Sequence, residues 1–285
     1  MARLMRSLLF VPANNPRFIN KAKELRADII CLDLEDSVPE EEKSKAREFI
    51  TKALDDKFTS EVFVRVNSPR SRFINDDLNI IDKRVTGIVI PKVDDPNDVI
   101  NIASIISNIE KSKGIDEGKI ELIPSIESTK GVVNAYNIAT ASNRVVALVF
   151  GIFDFLNDLG VEYNEDDYIS YLYARSKVAI EARAANVYAI DSIWQKVDDI
   201  NGLIKDSKLG VRLGYRGKSI IHPNQIEHVH NIFKPTNEEI EWAKKVVSAL
   251  EASMREGKGA IKLEGKMIDI VHYKRAKALL DSSKS

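Results

Sequence analysis

The sequence predicts an α/β protein, a closed (β/α)8 barrel followed by a C-terminal helical lid extension. Three observations carry this. Short, apolar, β-branched runs alternate with helical ones from Arg6 to Pro223, and there are eight such runs. The chain has 285 residues, against ~250 for a typical barrel of this kind, so a tail is left over. No GxGxxG turn follows any strand, which disfavours the alternative of an open doubly wound sheet for a dinucleotide. The barrel is expected over residues 1–235 and the extension over residues 236–285, packed on the barrel or on a neighbouring subunit.

The first strand is RSLLFVP, Arg6 to Pro12. NNPRFINKAKELRA then opens a helix, with Asn15 as N-cap and Pro16 in the first turn, where a missing N–H costs nothing. DIICLDLED, Asp28 to Asp36, is the second strand, and Asp33, Glu35 and Asp36 crowd its C-terminal end. Pro39 to Asp56 reads as a charged amphipathic helix. EVFVRVNS, Glu61 to Ser68, is a third strand ending in Arg65 and Asn67, and a helix around Phe73 to Lys83 follows. TGIVIPKV, Thr86 to Val93, and the helix Pro96 to Lys113 make the fourth pair. IELIPSIES and VVALVFGIFD are the fifth and sixth strands, joined by the helical TKGVVNAYNIATASN. A polar loop, Asn157 to Asp167, leads to a helix over Tyr168 to Ala185. VYAIDSIW (Val187 to Trp194), a helix within Val197 to Leu209, and KSIIHP (Lys218 to Pro223) complete the barrel.

From Thr236 the chain changes character. Thr236 and Glu239 have capping-box spacing ahead of a long helix. Gly257, Gly259 and Gly265 then punctuate a segment that reads as a hairpin ending at Asp269, before a last helix.

Composition excludes some classes. With 42 basic and 43 acidic residues the net charge is −1, so no nucleic-acid footprint is expected. The single cysteine, Cys31, lies in an apolar run and reads as a buried, inert thiol. No apolar run reaches the ~18 residues of a membrane span, and the N-terminus lacks a secretory pattern, so a soluble, cytoplasmic protein is expected.

The fifth and sixth strands form a βαβ unit, which makes them parallel and adjacent. Glu127 then stands near the end of one and Asp154 at the end of the other. Ligands bind at that end of parallel α/β folds. Two carboxylates there, with no obvious basic partner, call for a divalent cation, and Mg2+ favours one or two carboxylates plus waters and substrate oxygens. The plainer alternative is that they cap the helices that follow.

RSLLFVP, DLEDSVPEEEKSKAR, VRVNS, IPSIES, FGIFDFLNDLG, KSIIHPNQ and GKMID occur in this order. As an ordered set they resemble the citrate lyase β-subunit family, which also contains the malyl-CoA, citramalyl-CoA and β-methylmalyl-CoA lyases. The resemblance spans nearly the whole chain. It implies a TIM barrel, Mg2+ (with Mn2+ as a substitute), and a substrate thioester of coenzyme A or of an acyl carrier. It also implies release of a 2-keto acid (glyoxylate, pyruvate or oxaloacetate), and a homotrimer or larger homo-oligomer. In the alternative, the chain is a citrate lyase β subunit, cleaving citryl-acyl-carrier-protein within a multi-subunit complex. A non-catalytic acyl-CoA-binding subunit is the reading from a different class.

Residue by residue, the resemblance makes Glu127 and Asp154 metal ligands and Arg65 the clamp on a substrate carboxylate or carbonyl. It makes Asp269 a lid acid delivered into a neighbouring subunit's site, and places Lys21 and Arg17 at the acyl carrier's phosphates. His222, after the eighth strand, is a further substrate contact. Each has a plainer reading: an ion pair with Glu35 or Asp36 for Arg65, solvent for Arg17 and Lys21, a structural ring for His222, a local turn for Asp269. The sequence departs from the family in lacking a proline shortly after Asp269 and in carrying Asn186 where glycine is frequent.

Overall fold

The computed structural model describes residues 3–164, 168–255 and 259–283. The chain divides into two compact units, Met5–His230 and Met1–Leu4 with Asn231–Ser285.

In the larger unit eight parallel strands close into a barrel in chain order. They are β1 (Ser7–Pro12), β2 (Ile29–Asp33), β3 (Glu61–Arg65), β4 (Gly87–Ile90), β5 (Glu121–Ile126), β6 (Ala147–Phe150), β7 (Tyr188–Asp191) and β8 (Gly217–Ile220), and β8 pairs back onto β1. The helices are α1 (Pro16–Ala22), α2 (Lys43–Ala53), α3 (Ile74–Asn79), α4 (Pro96–Lys113), α5 (Thr129–Ala139), α6 (Ile152–Leu159), α7 (Ile169–Ala184) and α8 (Ile200–Leu213). A further helix, α9 (Gln225–Phe233), runs across the division between the units.

The alternation of a strand explains the interior. Leu8, Ile29, Cys31, Phe63, Val89, Ile123, Ala147, Val149 and Ile190 pack as one buried cluster inside the barrel. Side chains alternate faces along a strand, so residues two steps further on point the same way. Asp33 is two beyond Cys31, Arg65 two beyond Phe63, and Glu127 four beyond Ile123. The inward rows therefore change from apolar to charged at one end. Cys31 is fully buried, and burial pushes its thiol well up, so it stays protonated.

Several helices begin where local chemistry dictates. The Asn15 side chain accepts from Arg17 N–H, with Pro16 next in the helix. Asp95 and Asp98 form a capping box at α4. Asn186 adopts φ 59°, the left-handed region that asparagine tolerates.

Some expectations need correction. The strand assigned to Asp28–Asp36 ends at Asp33, and Pro39–Asp56 opens as a short 3-10 turn before α2. The sixth strand stops at Phe150; Asp154 lies in the first turn of α6, a helix taken for strand and loop. The run VVALVFGIF is apolar throughout, so periodicity alone does not mark its strand-to-helix switch. Of the polar loop, residues 165–167 lie outside the described residues.

The smaller unit holds α10 (Asn237–Arg255), the antiparallel hairpin β9 (Ala260–Leu263) and β10 (Lys266–Asp269), and α11 (Ile270–Ser283). The capping box forms: Thr236 N–H donates to Glu239 Oε2 at 2.9 Å and Glu239 N–H to Thr236 Oγ1 at 3.1 Å. The hairpin turns on Glu264 and Gly265, both at positive φ, the pattern of a type I′ turn. Ile268 of β10 packs with Ala243, Val246 and Ala276 in a core of its own. Gly257 lies outside the described residues.

Candidate active site at the C-terminal ends of the strands

Asp33 and Arg65 end neighbouring strands in direct register. The guanidinium binds the carboxylate in a fork, Nε to Oδ1 and Nη2 to Oδ2, both at 2.6 Å. Asp33 also accepts from Ser37 Oγ and from the Glu35 N–H. Burial would raise the Asp33 carboxyl, but the guanidinium more than offsets it and holds it below the usual range. The same pairing raises Arg65 further, against its own burial. The plane of Arg65 lies over the Phe10 ring, 4.5 Å from its centroid. This is the fixed, bidentate geometry that guanidinium favours.

The turn after β2 is clamped from below. Lys43, itself buried, donates to the carbonyls of Leu34 and Glu35 at 2.7 and 2.9 Å. Asn67 reaches the Leu34 carbonyl from β3's end. Glu35 is therefore held inward, only 4 % exposed, with Oε2 3.2 Å from Arg65 Nη1. Burial pushes its carboxyl up despite the nearby cations.

Glu127 lies one residue past β5, 7 % exposed. The plainer capping role does not apply to it, because the α5 N-cap is Ser128, whose side chain accepts from Gly131 N–H. Nor does Asp154 cap α6, whose N-cap position is Gly151. Gly151 is required there: a Cβ on it would lie 2.4 Å from Glu127 Cγ. The absent side chain lets Glu127 lie against the start of α6, the helix whose first turn carries Asp154. Burial, then the charges of Glu35 and Asp154, push the Glu127 carboxyl up to about 8. This donor set fits a hard divalent cation, since two oxygen-bearing side chains share uncompensated negative charge.

One lysine lies beside these carboxylates, with its main chain on Glu127 and its ammonium on other acids. Lys92, after β4, donates its N–H to Glu127 Oε2 at 3.2 Å. Its ammonium reaches Glu35 Oε1 at 2.6 Å and Asp36 Oδ1 at 3.0 Å. The sequence held no signal for this beyond a lysine in IPKV, because the left-handed backbone that aims it is set by tertiary contacts. Of the two partners in the plainer reading of Arg65, Glu35 does lie against it at 3.2 Å, and Asp36 pairs with Lys92.

The fold thus gathers Asp33, Glu35, Asp36, Arg65, Lys92, Glu127 and Asp154. Arg17 and Lys21 stand exposed, one turn apart on α1, which follows the C-terminal end of β1. His222 is exposed after β8, and its Nδ1 lies 2.7 Å from Asn224 Oδ1. Asp269 belongs to the smaller unit, where it accepts from the Val271 and His272 N–H groups and bonds the His272 ring. That ring hydrogen bond, with the backbone ones, lowers its carboxyl.

A parallel barrel with a guanidinium and several carboxylates gathered where its strands end has the layout of a barrel enzyme. The sequence profile described as HpcH/HpaI aldolase/citrate lyase matches residues 6–223. The chain is 36% identical over 286 residues to citrate lyase subunit beta of Haemophilus influenzae, covering 99% of this chain and 98% of that one. It is 34% identical over 284 residues to the human mitochondrial citramalyl-CoA lyase, covering 95% and 83%. Among solved structures, the protein CitE from Mycobacterium tuberculosis in complex with magnesium, acetoacetate and coenzyme A superposes with a TM-score of 0.80 at 26% identity, covering 99% of each chain. The chain belongs to the HpcH/HpaI aldolase/citrate lyase family, and its named relatives are lyases. Among the described residues no helix is long and apolar enough to cross a membrane.

Proposed function

We propose that this protein is a Mg2+-dependent carbon–carbon lyase that cleaves a 3-hydroxyacyl thioester of coenzyme A. The products are an acetyl-type thioester and a 2-keto acid: glyoxylate, pyruvate or oxaloacetate. The observation that carries the reading is the buried Glu127 carboxylate, crowded by Glu35 and Asp154 and faced by Arg65 at the ligand end of the barrel. The citramalyl-CoA lyase relative and the CitE complex with magnesium and coenzyme A support it.

Glu127 and Asp154 would hold the metal. When bound, Mg2+ supplies Lewis-acid polarisation and a template for substrate oxygens. Arg65 stabilises charge developing on the substrate oxygen as the carbon–carbon bond breaks, from a pose that Asp33 has already set. A base takes the substrate's hydroxyl proton as the carbon–carbon bond breaks, the bond electrons pass to the thioester enolate, and its carbon takes a proton that Asp269 delivers in its protonated form. Arg17 and Lys21 meet the carrier phosphates, and His222 contacts the substrate.

Incubation of the purified chain with Mg2+ and malyl-CoA, citramalyl-CoA or citryl-CoA tests this. Keto acid from one of them is expected, and none from any of them overturns the reading. The 36% identity to a citrate lyase β subunit favours a second reading, cleavage of citryl-acyl-carrier-protein within a complex. Activity restored only by added carrier subunits would select it.

The chain acts as a homotrimer or larger homo-oligomer. Val133 on α5 and Tyr173 and Ile180 on the adjacent α7 are 73, 77 and 64% exposed, and such exposed apolar side chains on neighbouring helices favour a protein partner. In such an oligomer Asp269 serves a neighbour's barrel. Mixing inactive Asp269→Asn and Glu127→Gln chains after reversible dissociation should restore partial activity. A mixture that exchanges subunits and stays inactive would refute the shared site.

A further inference from the structure

We infer that Lys92 is a positioning residue of this site: its ammonium locks Glu35 and Asp36, and through Glu35 it places the negative charge beside the outer nitrogen of Arg65, whose pose Asp33 sets. The inference rests on the lyase reading above. It starts from the backbone. Lys92 has φ 53°, a conformation that a side-chain-bearing residue holds only where its surroundings impose it. It is pinned on both sides: its N–H donates to Glu127 Oε2 at 3.2 Å, and its carbonyl accepts from Arg70 Nη2 at 2.6 Å.

That backbone aims the side chain back across the strand ends to Glu35 and Asp36. Glu35 then bridges two cations, with Oε1 on Lys92 and Oε2 3.2 Å from Arg65 Nη1. Oε2 is buried and makes no hydrogen bond, so its hold on Arg65 is electrostatic and depends on where the rest of Glu35 is placed. Lys43 fixes the Glu35 main chain, and Lys92 is what fixes its carboxylate. Asp33 fixes the rigid guanidinium through Nε and Nη2, and Glu35 supplies the negative charge beside Nη1. Without the ammonium, Glu35 and Asp36 repel each other and Glu127, and the guanidinium loses a defined neighbour on that side.

A lysine that is part-exposed in an ion pair is otherwise worth little to stability. The two roles differ in what they move. Lys92→Met is assayed with the CoA thioester that the wild type cleaves, and Mg2+ binding is measured separately by calorimetry. The expected result is a kcat lower by about 10–100-fold, the usual cost of losing an orienting partner. Mg2+ should bind as tightly or more tightly, because a positive charge has left a site rich in carboxylates. Lys92→Arg should recover most of the rate. A Lys92→Met enzyme with unchanged kcat, or one in which rate and Mg2+ affinity fall together with the thermal transition, would overturn the inference. If Lys92→Met does not fold, Lys92→Gln carries the same test. A wild type that neither binds Mg2+ nor cleaves any thioester refutes the lyase reading instead, so the two failures are told apart.

Discussion

Two ionic clusters of the barrel are built on opposite principles. Between β7, β8 and the helices α7 and α8, Arg175 binds Asp191 in a fork and Asp206 at 2.8 Å, and Lys218 reaches both aspartates. Two cations meet two carboxylates, and Arg175, Asp191 and Lys218 are fully buried. Burial would raise the Asp206 carboxyl, but Lys218 and Arg175 bring it down to about 2. At the strand ends, three cations, Arg65, Lys92 and Lys43, lie among five carboxylates, Asp33, Glu35, Asp36, Glu127 and Asp154. There a carboxyl is pushed up to about 8 instead. A self-neutral cluster joins strands to helices and asks for nothing more. A cluster with surplus negative charge is stable only with protons or with a bound cation, and that surplus marks the site.

The contrast can be broken by mutation. Glu127→Gln or Asp154→Asn should lower cleavage by more than about a thousandfold, since the metal site is lost. The metal-free thermal transition should stay or rise, because repulsion is relieved. Full activity of either variant in chelator-treated buffer would contradict this. Arg175→Met should do the reverse. It leaves two buried carboxylates to the single cation Lys218 and should cost on the order of 3–5 kcal/mol of stability in denaturant melts, while kcat per folded molecule is kept. Equal stability would show that the neutral cluster is not a structural element.

Arg65→Lys sharpens the picture within the site. It keeps the charge and loses the fork, and kcat should fall about 100-fold. A rise in KM with unaltered kcat would assign Arg65 to uniform binding. The smallest effect is on pH. The Glu127 carboxyl titrates at about 8 in the fold against 4.5 ordinarily, so between those values the folded chain binds more protons than the unfolded one. Its contribution is full below 4.5 and is lost as pH rises through about 8. Metal-free wild type should therefore lose stability across that window, on the order of a few kcal/mol, relative to Glu127→Gln. Parallel curves for the two proteins would exclude it.

The sequence by itself determined the barrel, because eight short, continuous apolar runs separated by helices leave few other ways to bury that surface. It also determined local signals such as the Asn15 cap, the Thr236–Glu239 capping box and the turn in the hairpin, which depend on neighbours within a few residues. Glu127 and Arg65 were legible as polar residues closing apolar runs. Only the tertiary structure decided the rest. It set Asp33, rather than Glu35 or Asp36, as the fork partner of Arg65, because the parallel register puts them opposite each other. It moved Asp154 into a helix, behind a glycine whose bare Cα makes room for a side chain from another strand. And it brought Lys92 to Glu35, 57 residues away in the chain, by a left-handed turn that no local propensity of lysine favours. Such contacts depend on distances between strands, and a linear pattern carries only distances along the chain.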